Sequence, residues 1–290
     1  MYQPYNKDFR DFDLIPFEGK LFVIYITSTN IKDSNQFGLA SSTDGTRWIE
    51  EGMVMRPSVA GWDSKSLWAM HVAREGDEFV MYYSALGEGW RRHQSMGIAR
   101  SRSLRDWIRE DKPLLYLESD NPFYSDDIDR IDKWFPDEPT ILFRDPWSLH
   151  HQGKKYLMFA ARDKSISHEN NACIGLAELL PNKTVRYLPP LYSPGTYHAL
   201  ECPALYQVDR KWVLLFCDDD IDVMRYAVSD EPLSGFSEPT KEPLAPSEHY
   251  VGRIVEWGDD RLFYYHTPGH QLSDPKKVQI SEGKLILHKI

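Results

Sequence analysis

The sequence predicts an all-β protein, a five-bladed β-propeller with four-stranded antiparallel blades. Two observations predict it. A hairpin motif returns five times along the chain, and a second strand motif follows it at a nearly constant distance. A third observation sets the limit, because no strong helical period competes; the nearest is IDRIDKW (128–134), one or two turns at most.

The hairpin motif is clearest in FRDFDLIPFEGKLFVIY (9–25) and FRDPWSLHHQGKKYLMF (143–159). Each runs Phe-Arg-Asp, an apolar stretch, a turn at Gly-Lys, then more apolar residues. Further copies are WAMHVAREGDEFVMYY (68–83), ECPALYQVDRKWVLLF (201–216) and YVGRIVEWGDDRLFYY (250–265). The turn residues favour or tolerate positive φ, as a tight hairpin demands. The flanks are rich in Val, Ile, Phe, Tyr and Trp, which suit a pleated surface. The second motif appears as GLASSTDGTRW (38–48), GIARSRSLRDW (97–107), IGLAEL (174–179) and MRYAVSDEPLSGF (224–236). Its shared alanines, Ala40, Ala99, Ala177 and Ala227, lie 21, 23, 24 and 18 residues after the turns. Two strands, a loop, a third strand and a fourth make one propeller blade.

Turns recur at intervals of 57, 77, 56 and 49 residues, so five units fill residues 1–290 as one catalytic domain. The longest interval contains the acidic stretch 116–142, LYLESDNPFYSDDIDRIDKWFPDEPTI. A long loop on a rigid scaffold often walls a site, and this one is expected at the end of the propeller where Asp145 sits.

Bulk properties exclude several classes. The 34 Lys and Arg against 44 Asp and Glu give a formal charge of −10 with no basic run, which argues against nucleic acid or an anionic membrane as partner. No apolar run reaches a transmembrane length, and the start MYQPYNKDFRDFDLIPF lacks a secretory signal, so a cytoplasmic location is expected. The three cysteines, Cys173, Cys202 and Cys217, have no paired spacing, which argues against a disulfide framework and a zinc site. No cofactor or metal is implied.

The innermost strand of each blade lines the central channel, so positions matched between blades converge on one axis. Counted from the turns, Asp11, Asp145 and Glu201 are matched, each eight residues before a turn residue. One aspartate before a strand is ordinarily a turn or cap residue. Three at one phase would repel each other, which a fold gains nothing from and a catalytic site uses. Glycoside cleavage needs such a set: one carboxylate at the anomeric carbon, one proton donor, and one to hold hydroxyls as charge builds on the ring. Arg144 beside Asp145 would favour its ionised form and bond hydroxyls. Trp68 shares the phase in the second unit, as a sugar-stacking platform or as core. Asp13, on the face of Asp11 by alternation, is its rival. His71 and His198 join the candidate substrate-binding set, with a structural role as the alternative.

The FRDP of 143–146 and the ECP of 201–203, in the order Asp, RDP, Glu, resemble glycoside hydrolase family 32, the invertases, inulinases and levanases. The resemblance covers about 9–265 and extends to families 43 and 68. It implies Asp11 as nucleophile, Asp145 as transition-state stabiliser and Glu201 as acid/base. It also implies Arg144 and Asp145 on sugar hydroxyls, and Trp68, Tyr250 and Arg253 near the sugar. Three departures stand out. R-D-F-D-L replaces the family's N-D-P-N-G segment, Ala69-Met70-His71 replaces its serine region, and no C-terminal β-sandwich follows. Three functions stay open: a retaining β-fructosidase; an inverting, family 43-like arabinosidase or xylosidase, or a transglycosylase; and a non-catalytic sugar-binding propeller. The partner in each is a glycoside or oligosaccharide. Glu201 suits the proton donor chemically, since its extra methylene extends its reach and Cys202 and Pro203 bring no charge.

Overall fold

The computed structural model describes residues 1–5, 7–28, 35–87, 94–126, 141–181 and 183–290. Five antiparallel sheets follow one another along the chain. The first holds β1 (Arg10–Phe17), β2 (Lys20–Thr27), β3 (Gln36–Ser42) and β4 (Ile49–Met55), in that order. The second holds β5 (Ser66–Glu75), β6 (Glu78–Leu86), β7 (Ser95–Ser101) and β8 (Ile108–Arg109). The third holds β9 (Arg144–His151), β10 (Lys154–Arg162), β11 (Ala172–Leu179) and β12 (Val185–Tyr192). The fourth holds β13 (Leu200–Val208), β14 (Lys211–Asp218) and β15 (Val223–Ser229). In the fifth, β16 (Tyr250–Trp257), β17 (Asp260–Thr267), β19 (Lys276–Ser281) and β20 (Lys284–Lys289) form the sheet, and the short β18 (Gln271–Leu272) pairs with β17. No helix occurs among the described residues. The inner strands β1, β5, β9, β13 and β16 pack in a closed ring, which makes the assembly a five-bladed propeller.

Local chemistry accounts for the blades. Glu18-Gly19, Gln152-Gly153 and Asp209-Arg210 hold both turn residues at positive φ, the requirement of a type I′ hairpin. The second strands sit between neighbouring sheets, and β2 and β6 are buried along nearly their whole length. That is why KLFVIYIT and EFVMYYSAL read as continuous apolar runs rather than alternating ones. The third strands carry Gly38, Gly97 and Gly175 two residues before the shared alanines. Each glycine is roofed by a ring, of Tyr25, Trp62 and Phe159 respectively, that would stand 2.3–2.6 Å from an added Cβ.

Two expectations need correction or limitation. The fourth blade has three strands, not four. Residues 237–244 still bond to β15 through Ser237, Thr240 and Leu244, but Pro239 and Pro243 deny them a regular ladder. Of the 116–142 insertion, residues 123–125 return to the end of β10, where Ser125 N–H donates to Arg162 O at 3.0 Å and Lys164 N–H to Phe123 O at 2.9 Å. This is the end of the third blade that bears Asp145. The helical turn expected at 128–134, and residues 127–140 of the stretch expected to wall the pocket, lie outside the described residues.

Candidate active site

Every inner strand begins with a β-bulge at the same end of the propeller. Two of its residues face one of the partner strand: 11–12, 68–69, 145–146, 202–203 and 251–252. Asp145, Cys202 and Val251, the first bulged residues of their blades, have φ of 61°, 51° and 49°. A bulge re-aims side chains and sharpens local twist, and such devices cluster beside active sites.

The bulges define two tiers. Asp11, Trp68, Asp145, Cys202 and Val251 occupy the first bulged position. Arg10, Leu67, Arg144, Glu201 and Tyr250 precede it, facing Ile26, Ala85, Ala160, Cys217 and His266. Asp11 and Asp145 are therefore matched as expected, with Trp68 beside them. Glu201 stands one residue earlier, at the position of Arg144. Counting from the turn missed this because two turn residues separate the strands, and the count used the second in the first and third blades but the first, Asp209, in the fourth.

This offset decides the electrostatics. Arg144 donates from Nη2 to Glu201 Oε1, while its Nε stays 3.9 Å from Asp145 Oδ2. Tyr250 Oη donates to the other Glu201 oxygen at 2.9 Å. Asp145 Oδ2 accepts the Cys202 N–H at 2.9 Å, and its own N–H donates to Ser84 Oγ at 2.7 Å. Arg144 was expected to serve Asp145, its neighbour in sequence; its direct partner is Glu201 of the next blade. Burial pushes the Asp145 carboxyl up to about 7, Arg144 opposing and the charges of Glu201 and Asp11 adding to the rise. Burial also raises the Asp11 carboxyl, opposed by Arg10 and reinforced by Glu201. Arg10 itself is drawn back to Asp8 at 2.7 Å and Asn35 at 2.7 Å.

A second layer lies next to the carboxylates. Asp13, 4% exposed, accepts from the Val72 N–H at 2.7 Å and meets His71 Nδ1 at 3.0 Å. His71 stacks on Trp147 at 3.9 Å, and the buried Arg253 guanidinium lies 5.4 Å from the same indole. Arg253 donates to Phe12 O at 3.0 Å, joining the fifth blade to the first. Asp13 is thus committed to its own hydrogen bonds, and Asp11 is the first-blade carboxylate grouped with Glu201. His198 lies on the approach to β13, its Nε2 3.3 Å from Arg162 Nη2 and its Nδ1 3.1 Å from Glu169 O.

Sequence reasoning missed Trp147 and Ser84. Trp147 follows Asp145 by two, and alternation along β9 was the available signal. Ser84 carries none, since it acts across blades from β6. Among the described residues no three His, Cys, Asp or Glu are arranged to hold a metal ion.

A model of the glycosyl hydrolases family 43 matches residues 6–271. No curated protein matches the chain in sequence. Solved structures share its fold. Fructan 1-exohydrolase IIa from Cichorium intybus superposes with a TM-score of 0.77 at 18% identity, over 99% of this chain and 59% of that one. Sucrose-6-phosphate hydrolase from Lactobacillus gasseri gives 0.73 at 16% identity, over 97% and 61%. A thermostable family-43 glycoside hydrolase gives 0.72 at 15% identity, over 98% and 94%.

Proposed function

The chain belongs to glycosyl hydrolase family 43, and from that premise we propose that it hydrolyses a terminal pentoside, an arabinoside or a xyloside, with inversion. The supporting observation is the grouping of Asp11, Asp145 and Glu201 at one mouth of the channel, with Arg144 reaching both of the latter two. Burial raises the Asp11 and Asp145 carboxyls, Asp145 to about 7, so the group as a whole retains a proton near neutrality on which acid–base cleavage can draw.

In this reading Glu201 is the acid and Asp11 the base. Asp11 accepts a proton from water as the water oxygen bonds to the anomeric carbon. The bond from that carbon to the leaving oxygen breaks, and the Glu201 proton passes to that oxygen. One water is consumed, and the two products are a sugar of opposite anomeric configuration and a free alcohol. Asp145, fixed by the Cys202 N–H and the Arg144 charge, holds ring hydroxyls. Trp68 offers a face for the sugar ring.

A second reading keeps a β-fructoside and retention, with Asp11 bonding to the anomeric carbon. The RDP of 144–146 and the ECP of 201–203 favour it, as does the fold shared with a fructan exohydrolase. A hydrolysis screen over aryl arabinofuranosides, aryl xylosides and short fructans separates the two. Proton NMR of the first-formed anomer reports inversion or retention. A retained anomer from a fructan would replace the first reading with the second. A folded protein that cleaves none of these would end both.

A further inference from the structure

We propose that the chain carries a second ligand site, remote from the carboxylates, for a small amphipathic organic anion. A cavity of about 870 Å³ opens between the second and third blades. It is lined by the end of β7, the segment after β8, the β9–β10 turn and the end of β11. Gly153 of that turn is eight residues from Asp145 along β9, roughly 25 Å at the usual rise of a strand. The volume suits a molecule of ten to thirty heavy atoms rather than a macromolecule.

The lining has two parts. Ile98, Leu114, Leu179 and Leu180 supply apolar wall. Around them stand five cations and three carboxylates in a protein whose overall charge is −10. Three of the cations are already paired: Lys155 with Glu75 at 2.6 Å, Lys183 with Glu110 at 2.9 Å and Lys154 with Glu178 at 3.6 Å. Arg100, half-buried, and Lys112, exposed, have no direct ion pair among the described residues, Arg100 acting on Glu75 only through its charge, and Asp111 on the exposed loop is the only lining carboxylate without one. A guanidinium held over apolar wall binds a carboxylate or sulfonate by paired N–H donors, while the wall takes the ligand's apolar body. A neutral sugar finds no exposed aromatic face there, since the one lining ring, Tyr82, is 1% exposed. The site is independent of the hydrolase reading.

The probe is 8-anilinonaphthalene-1-sulfonate, titrated by fluorescence against the full chain, with octanoate and 1-octanol as competitors. The expected result is one saturable site from which octanoate, but not octanol, displaces the dye. Arg100→Gln should weaken binding at least fivefold, and Arg100→Gln with Lys112→Gln further, with glycosidase activity unchanged. Should Arg100→Gln fail to fold, Lys112→Gln on its exposed residue carries the comparison, with an expected twofold to fivefold loss. The proposal is overturned if the dye does not bind saturably. It is equally overturned if octanol competes as well as octanoate, if a glycosidase substrate displaces the dye, or if the variants bind as the parent does.

Discussion

Replacing Asp145 with Asn removes a carboxyl that is 5% exposed and faces two others. Its folded-state value of about 7 stands about three units above the ordinary 3.8, which at 1.36 kcal/mol per unit is roughly 4 kcal/mol against the ionised form. The folded protein holds this proton more tightly than the unfolded chain. The group is therefore least costly below about pH 4, and stability falls as pH rises from about 4 to about 7. Asn keeps the shape and can still accept the Cys202 N–H, and the value of about 7 already includes the opposing Arg144 charge. Allowing for relaxation of the coupled carboxyls, the variant should match the parent at pH 4 and exceed it by about 1–3 kcal/mol at pH 8. At roughly 2–4 °C per kcal/mol for a domain of this size, the gain is about 2–12 °C in Tm. Activity should fall a hundredfold or more, the order seen when one preorganised group of a catalytic site is lost. Thermal melts of both proteins at pH 4 and pH 8 make the comparison. An equal gain at the two pH values, or a loss at pH 8, would refute the reasoning, because only ionisation makes the buried carboxyl costly.

Three further outcomes are expected. Glu201→Gln should lose most activity on alkyl glycosides yet retain cleavage of aryl glycosides whose leaving group needs no proton; equal loss on both, followed by product release, would remove Glu201 from the acid role. Tyr250→Phe deletes the 2.9 Å bond to Glu201, so kcat should drop about fivefold to tenfold with KM little changed, corresponding to about 1 kcal/mol of positioning; a change confined to KM would place the tyrosine on substrate instead. Gly175→Ala sets a Cβ 2.3 Å from the Phe159 ring and should cost about 1–3 kcal/mol in denaturant unfolding without altering kcat, whereas an unchanged midpoint would mean the ring yields freely.

The propeller was legible because a blade is built from local events. Hairpin turns such as Glu18-Gly19 and Gln152-Gly153, apolar second strands and the glycine-x-alanine third strands are each readable within a dozen residues, and five repetitions leave few alternatives. The fourth blade departed where prolines interrupt its outer edge, a signal present in the sequence but outweighed by the repeat. Asp11 and Asp145 were legible as candidates from their shared place in the repeat and the RDP motif, and Glu201 from the ECP motif, one residue off that place.

Their mutual arrangement was not legible. A bulge sets two residues against one, so a count in whole residues loses a step at the place where side chains are aimed. Arg144 reaches Glu201 across 57 positions of chain, Tyr250 reaches the same carboxylate across 49, and Ser84 caps Asp145 across 61. Backbone propensity and alternation act over a few residues, so the repeating unit, its number and the residue types offered to the axis can be read along the chain. Which charge faces which carboxyl is set by closure of the ring, which brings strands from different blades within a few ångströms, because Coulomb and hydrogen-bond energies depend on that distance rather than on separation along the chain.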